Sequence, residues 1–382
     1  MRKTALQLFI VFLPTQLSLH LWPNWALVNG LRVDYLAPFL LATDALFALI
    51  FVLFRKEVVA FFKEHRRSAF TLLLILTINV LVSTAPFVSL FWWLRVLQAL
   101  ITFAIFSSLK NPLAIISTPL SIVLIGVGAL SLAQFAAESS LGGLLYFLGE
   151  RRLSVTTPGV ARVVLDSGTY LRPYATFSHP NAMAGFVGLV LLIKLKPSRF
   201  KLPGAAFGLL ALALSFSKLA IVAFIAALLL EKLPARQNIP IALGVLVSLG
   251  LLFFNFDNAQ YGPSIAERLF LIERTREAML SSAVFGAGLG GFVSTLPPGT
   301  RLLQPVHNVF LLALSELGIV AWSMAALVFL KGLSHKAFLG ATIFMAITAL
   351  GDHYWYTAVQ TRLLAAVVLA VIMRSGKVEH LL

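Results

Sequence analysis

Apolar runs separated by clusters of charge dominate the chain. A helix that crosses a bilayer needs about 20 mostly apolar residues. Runs near this length predict twelve helices, near residues 5–22, 36–54, 69–84, 87–109, 112–137, 181–195, 202–216, 218–231, 239–256, 307–330, 337–351 and 361–374. We therefore predict an all-α polytopic membrane protein with about 12 transmembrane helices, in which residues 1–382 form a single integral membrane domain.

Two polar stretches, 138–180 and 257–306, are much longer than the other connections. Most of the 30 lysines and arginines lie in the two termini and in every second loop between predicted spans. The short loops on the other side contain few of them. Because short cytoplasmic loops collect Lys and Arg, both termini should be cytoplasmic and both long loops extracytoplasmic. Ordered loops of this length are usually functional.

The second long loop contains the pattern of an amphipathic helix. Ser264 and Glu267 fit a capping box, in which each side chain accepts from a backbone N–H at the start of the helix. An apolar stripe follows at helical spacing, formed by Ile265, Leu269, Ile272 and Met279. The helix should end by Gly286, and three arginines surround it, namely Arg268, Arg274 and Arg276.

Composition narrows the class further. The chain is 59% hydrophobic and only 12% charged, so a soluble fold has too little charge for its surface. It contains no cysteine, which excludes disulfide modules, thiolate metal sites and thiol nucleophiles. The net charge of +15 indicates basic cytoplasmic loops and anionic lipids or substrates. No nucleic-acid-binding module accompanies it, and we expect no nucleic-acid partner.

Three polar stretches at outer ends of predicted spans contain candidate chemistry. Arg172 to Asn181 includes His179 and a Pro-Asn pair that predicts Asn181 as a helix N-cap. His307 and Asn308 open a later span that contains Glu316, and the imidazole is either a polar group at the membrane interface or a general base. Asp352 and His353 form the third stretch.

Other positions have two interpretations each. Arg95 either extends its side chain toward the surface or faces a cavity. Glu316, deep in an apolar run, is either a structural hydrogen-bonding group or functional. Residues 286–291 have a glycine pattern typical of dinucleotide loops, but they follow a helix and not a strand, which favours a flexible helix end. We find no phosphate loop or metal-binding motif, and we predict no metal and no cofactor.

Taken in order, these stretches resemble the O-antigen ligase and polymerase superfamily over roughly residues 70–370. The resemblance is carried by Arg172-x-x-x-Thr176-Phe177-x-His179-Pro180-Asn181, Ser264-x-x-x-Arg268, Phe285-Gly286-x-Gly288, His307-Asn308 with Glu316-x-Gly318, Asp352-His353-Tyr354, and a Ser215-to-Lys218 turn that has Lys where the family has Arg. Ala175 stands where a Gly is frequent in that family.

The resemblance implies a cell-envelope glycosyltransferase of the plasma membrane. Such enzymes move a glycan from an undecaprenyl diphosphate carrier to an acceptor hydroxyl on the extracytoplasmic side, without metal or nucleotide. Arg172 and Arg268 would bind the diphosphate, and His307 would act near the acceptor hydroxyl. We expect further substrate contacts from Arg95, His179, Asn181, Arg276, Asn308, Asp352 and His353.

Two alternatives stay open. The shared motifs do not separate a lipopolysaccharide ligase, whose acceptor is a glycolipid, from a polysaccharide polymerase, whose acceptor is another carrier-linked glycan; we favour the ligase type. A transporter or flippase of lipid-linked glycans also suits twelve spans. The chain has no evident internal repeat, however, and its non-cytoplasmic charges concentrate in two loops, which favours chemistry at the membrane face.

Overall fold

The computed structural model describes residues 1–231, 263–333 and 338–379, and this part of the chain is mostly helical. Its fifteen α-helices are α1 Arg2–Phe12, α2 Ala42–Leu53, α3 Arg55–Glu64, α4 Arg66–Leu81, α5 Pro86–Ser107, α6 Pro112–Ala137, α7 Leu144–Phe147, α8 Pro180–Leu192, α9 Lys201–Leu214, α10 Lys218–Leu230, α11 Pro263–Ser281, α12 Val309–Leu333, α13 Leu339–Gly351, α14 Tyr354–Thr357 and α15 Val359–Glu379. The helical class predicted from the sequence is confirmed.

Two of the described helices, α5 and α6, are both long and apolar enough to cross a membrane. Several other predicted spans form apolar helices of only 12 to 14 residues, such as α2, α8, α9, α10 and α13. A 13-residue helix rises about 20 Å, less than the hydrocarbon core of roughly 30 Å. The predicted run at 239–256 lies outside the described residues.

The composition of the first apolar run predicted one helix over 5–22, and this prediction is wrong. Helix α1 ends at Phe12, and residues 18–20 form a strand that pairs antiparallel with residues 39–41. We number these strands β1 (Ser18–His20) and β4 (Phe39–Leu41), with the hairpin β2 (Leu27–Val28) and β3 (Leu31–Arg32) between them. Pro14 and the polar residues after it favour leaving the helix, because proline lacks the N–H of a helix interior.

The described parts of the two long loops contain helices and strands. The first contains α7 and an antiparallel hairpin of β5 (Arg162–Leu165) and β6 (Gly168–Leu171). The second contains the predicted helix, α11, which ends five residues before Gly286. Its buried stripe is Leu271, Thr275 and Ala278, whereas the predicted stripe residues Leu269, Ile272 and Met279 are half-buried beside it. The side chains of Ser264 and Ile265 lie outside the described set.

Helix α8 is the centre of the packing, with apolar residues buried on all its faces. Two of its glycines allow close contact: a Cβ at Gly185 would collide with the ring of Tyr354, and one at Gly188 with Phe344. Helices α6 and α9 approach in the same way, with Gly128 against the backbone of Phe207. The start of α8, which contains His179 and Asn181, is thereby held firmly against α13 and α14.

Candidate active site

The start of α8 places the first group of candidate residues. His179, and not Asn181 as predicted, is the N-cap, because its Nδ1 accepts from the backbone N–H of Asn181 at 3.1 Å. The side chain of Asn181 is consequently free to bridge two charges. Its Oδ1 accepts from Arg172 at 2.7 Å, and its Nδ2 donates to Asp352 at 2.8 Å.

Arg172 is held by neutral partners. Besides its bond to Asn181, its Nε donates to the carbonyl oxygen of Ser215 at 2.7 Å. Ser215 lies in the turn between α9 and α10, where Phe216 adopts a left-handed conformation with φ of 49°. Burial lowers the pKa of Arg172, and the guanidinium nevertheless stays charged near neutral pH. Arg172 is therefore a half-buried cation whose described hydrogen bonds go only to uncharged oxygens.

Arg268 reaches the same place from the second long loop. Its Nη1 donates to the carbonyl oxygen of Gly351, at the end of α13, at 3.0 Å. A helix C-terminus carries partial negative charge and favours a cation. Arg268, Arg172 and Lys218 line one cavity of about 300 Å³, together with Asn181 and Asp352. We call this the cationic cavity.

Asp352 is the carboxylate of the cationic cavity and is 7% exposed. It accepts from Asn181 and from the backbone N–H of His353 at 2.8 Å each, and His307 Nδ1 lies 3.8 Å from its Oδ1. Burial opposes its ionisation, but the nearby His307 and His353 outweigh burial and hold the pKa of Asp352 well below its ordinary value. Asp352 is therefore a carboxylate at neutral pH.

The two histidines beside Asp352 lie together. The ring centroids of His307 and His353 are 4.9 Å apart, and His353 Nδ1 is 2.8 Å from the hydroxyl of Thr357. Burial lowers the pKa of His353 to about 4, so its ring is neutral at pH 7. Ligand atoms of His307, Asp352 and His353 lie within 4.8 Å of one another, close enough to share a divalent ion after small movements.

No family model matches this sequence, and no curated protein matches it. The functional assignment therefore depends on the geometry of the site and on the motif resemblance.

Glu316 has a structural role in the described part of the chain. Its buried carboxylate accepts from the hydroxyls of Tyr35 and Tyr356 at 2.9 and 3.0 Å, and from the backbone N–H groups of Gly290 and Phe292 at 2.7 and 3.0 Å. Residues 286–291 are thus a packed turn and not the flexible helix end that their composition suggested. The φ of +72° at Gly286 is one reason that this turn needs glycine.

Other predicted site residues are occupied by structural contacts. Arg95, predicted to bind substrate, is buried and forms an ion pair with Asp44 at 2.7 Å. Arg276 is exposed and pairs with Glu273 on its own helix. Asn308 caps α12 by accepting from Leu311 N–H and donates to the carbonyl oxygen of Leu350.

Of the predicted residues, Arg172, Arg268, Asn181 and Asp352 line the cationic cavity, and His307, His353 and His179 lie beside them. Lys218 was not predicted as a site residue, although it closes the Ser215-to-Lys218 turn on which the resemblance partly depends. The position of this lysine between two apolar runs could have marked it as a candidate site residue.

Proposed function

We propose that this protein is a membrane glycosyltransferase that moves a glycan from an undecaprenyl diphosphate carrier to an acceptor hydroxyl at the extracytoplasmic face. The observation that carries the proposal is the convergence of Arg172, Lys218 and Arg268 on one cavity beside Asp352 and His307. These residues come from five separate segments of the chain. The order of motifs that resembles the O-antigen ligase and polymerase superfamily supports the same function.

The three cations suit a diphosphate. When the bond between the sugar's anomeric carbon and the phosphate oxygen breaks, the electron pair leaves with the diphosphate, which gains negative charge. Guanidinium groups fork two hydrogen bonds to phosphate oxygens, and fixed cations stabilise charge that develops in the transition state. Arg172 and Arg268 are positioned by neutral acceptors, so their positive charge is available to the leaving group.

His307 suits the general base. With Nδ1 toward Asp352, its Nε2 is the nitrogen that takes the acceptor's hydroxyl proton. Asp352 orients the imidazole and stabilises the imidazolium that forms, which is the usual role of a carboxylate behind a catalytic histidine. The acceptor oxygen then bonds to the anomeric carbon as the diphosphate leaves. Direct displacement of this kind inverts the anomeric carbon, and retained stereochemistry in the product would contradict it.

A lipid-linked donor requires a bilayer beside the site. The two helices long and apolar enough to span, α5 and α6, support membrane insertion, as do the 59% hydrophobic composition and the predicted twelve spans. On this proposal the long loops form the extracytoplasmic catalytic layer and both termini are cytoplasmic. The acceptor of a ligase is a glycolipid, and that of a polymerase is a second carrier-linked glycan. We favour the ligase.

A transfer assay tests the proposal. Protein purified in detergent is given undecaprenyl-diphosphate-linked glycan and candidate acceptors in the presence of EDTA. We expect a new glycosidic product from the wild type, and its acceptor end distinguishes ligase from polymerase. Arg172→Ala, Arg268→Ala and His307→Ala should lose the product while staying folded. Arg276→Ala is the matched control, because that arginine is exposed and paired on its own helix.

Transport is the opposing outcome. If the wild type forms no product with any acceptor but moves fluorescent lipid-linked glycan across proteoliposomes, the enzyme proposal is wrong. The cationic cavity would then be part of a translocation path.

A further inference from the structure

A second cavity, of about 400 Å³, is lined in part by His353. The N-terminal strands and the segments next to them supply much of its polar lining, which includes Gln16, Ser18, His20, Asp34, Arg151 and Gln360. Tyr35 and Trp92 form aromatic parts of its wall. We call it the N-terminal cavity. Neither the predicted site residues nor the motifs that carry the family resemblance account for these polar groups.

Consecutive residues line the two cavities, and both of these residues lie next to the proposed general base. Asp352 lines the cationic cavity, and the next residue, His353, lines the N-terminal cavity. Pro305, which also lines the N-terminal cavity, is two residues from His307. His307 contacts both sides, with its Nδ1 3.8 Å from Asp352 and its ring 4.9 Å from that of His353. Each cavity therefore has a lining residue next to the same imidazole.

The chemistry of the two cavities differs. The cationic cavity has three cations against one carboxylate, whereas the N-terminal cavity has one arginine, Arg151, and one aspartate, Asp34. Its other polar groups are amides, hydroxyls and imidazoles, next to aromatic rings. Amphipathic surfaces of this kind bind uncharged ligands that present both hydroxyls and apolar faces, as sugar rings do.

One unsatisfied atom indicates a hydrogen-bonding ligand. Gln16 lines the N-terminal cavity, and its Oε1 is buried without a hydrogen-bond partner among the described residues. A buried polar atom without a partner is destabilising, and such atoms in native proteins usually bond to water or ligand. A sugar hydroxyl is a donor that Oε1 can accept. The carboxylate of Asp34 is exposed at the same cavity and accepts hydrogen bonds only.

We infer that the N-terminal cavity binds the acceptor, as an uncharged sugar unit whose hydroxyl is presented to His307. This inference rests on the proposed function and extends it. The donor diphosphate would bind in the cationic cavity, which Asp352 lines, and the acceptor sugar in the N-terminal cavity, which His353 lines. The hydroxyl proton passes to His307 Nε2, the acceptor oxygen bonds to the anomeric carbon, and the diphosphate leaves with the electron pair into the cationic cavity.

Binding is tested first, without turnover. Saturation-transfer difference NMR on the purified full chain uses the methyl glycosides of glucose, galactose and N-acetylglucosamine as probes. We expect at least one glycoside to bind, and inorganic pyrophosphate at saturation to leave its signal unchanged because it occupies the cationic cavity. Methyl glucuronide, which is anionic, should bind more weakly beside Asp34. No glycoside signal, or its loss on adding pyrophosphate, would overturn the inference.

Two variants locate the binding. Gln16→Leu removes the unpaired acceptor, and Asp34→Asn removes an exposed charge at nearly constant shape. Each should weaken glycoside binding roughly two- to tenfold, the effect of one hydrogen bond. Gln7→Leu on α1 and Asp166→Asn at the tip of the β5–β6 hairpin are the matched controls, because neither lines the N-terminal cavity. Unchanged binding in both cavity variants, with both folded, would contradict the inference.

Kinetics separate this inference from the proposed function. At saturating donor, Gln16→Leu and Asp34→Asn should raise the acceptor KM by the same factor and leave the donor KM unchanged. If the wild type forms product and both variants keep the wild-type acceptor KM, the function stands and the acceptor assignment is wrong. If the wild type binds glycosides in this cavity but forms no product with any acceptor, the transferase proposal fails and a saccharide site remains.

Discussion

Two arginine environments in this molecule differ in what surrounds the guanidinium. Arg95 is buried beside α2, where Asp44 binds it through both carboxylate oxygens at 2.7 and 2.9 Å, and Gln98 accepts at 2.9 Å. Arg172 is half-buried and bonds only to uncharged oxygens, of Ser215 and Asn181, in the described residues. One positive charge is neutralised within the fold, and the other is not.

The difference separates an arginine that is paired within the fold from one that is available to an external anion. A buried charge that its own carboxylate neutralises contributes to structure, and an added anion would have to displace that carboxylate. A cation held by neutral dipoles keeps its net charge and still has a fixed geometry, which suits binding of an external anion. Arg268 belongs with Arg172, because its described partner is the carbonyl oxygen of Gly351.

The largest expected effect is on stability, at the neutralised arginine. Arg95→Ala leaves Asp44 as an unpaired, largely buried charge, and breaking such a pair costs about 3–5 kcal/mol in the free energy of unfolding. Chemical denaturation in detergent measures it. The double variant Arg95→Met, Asp44→Leu should recover most of the loss. If Arg95→Ala instead abolishes transfer at unchanged stability, Arg95 binds substrate, as its sequence position had suggested.

The next effect is on the reaction, at the arginines without a carboxylate partner. Removing one fixed donor to developing charge lowers kcat by roughly 10²–10³-fold. We expect this for Arg172→Ala and for Arg268→Ala, with a smaller loss of stability than in Arg95→Ala. Arg172→Lys should restore little of the lost rate, because an ammonium group cannot form two parallel hydrogen bonds to a phosphate. Single-turnover rates with lipid-linked glycan measure the loss of transfer. If all three alanine variants lost the same stability, Arg95 could not be distinguished from Arg172 and Arg268 as the structural arginine.

A pH effect comes third, at His353. Its pKa falls to about 4 in the fold from an ordinary value of 6.5, so the unfolded chain takes up a proton first as the pH drops. His353 therefore favours the folded state fully above pH 6.5, and that contribution falls between pH 6.5 and 4, by about 2–3 kcal/mol. Unfolding free energies across this window should slope less in His353→Gln than in the wild type. Equal slopes would show that the ring is not held neutral.

The smallest effect is expected at Arg276. Its side chain is exposed and pairs with Glu273 one turn away on α11. Exposed pairs of this kind contribute little, so Arg276→Ala should change transfer by no more than about twofold. The measurement is kcat/KM for the donor at low and at physiological salt. A larger loss would mean that Arg276 reaches substrate in the complex and that pairing with a carboxylate does not exclude a role.

The sequence alone could predict the helical class, the two structured long loops and most residues near the cationic cavity. Arg172, Asn181 and Asp352 stand out because polar groups at the ends of apolar runs need a reason to be there. The sequence could not reveal that Asn181 bridges Arg172 and Asp352, since the three residues meet only through the packing of α8 against α13 and α14.

Contacts between residues far apart in the chain account for three features that the sequence does not reveal. The sequence does not reveal the ion pair of Arg95, because its partner, Asp44, is 51 positions away and nothing local connects them. The glycine turn at 286–291 was interpreted as flexible because its packing depends on Glu316 and on Asn79, whose side chain accepts from Leu289 N–H and donates to the carbonyl oxygen of Phe285. The N-terminal cavity was missed because residues as far apart as Gln16 and Gln360 line it.

The bond between Tyr35 and Glu316 has a consequence for biosynthesis. These residues are 281 positions apart, and at 5–20 residues per second a ribosome needs roughly 15–55 seconds to make the intervening chain. Tyr35 forms part of the wall of the N-terminal cavity, and its carboxylate partner is absent during this interval. Tyr356, which shares this carboxylate, is made later still. The hydrogen bond that holds this wall residue thus forms only after residue 316 has been made, and a nascent chain that stops before residue 316 lacks it.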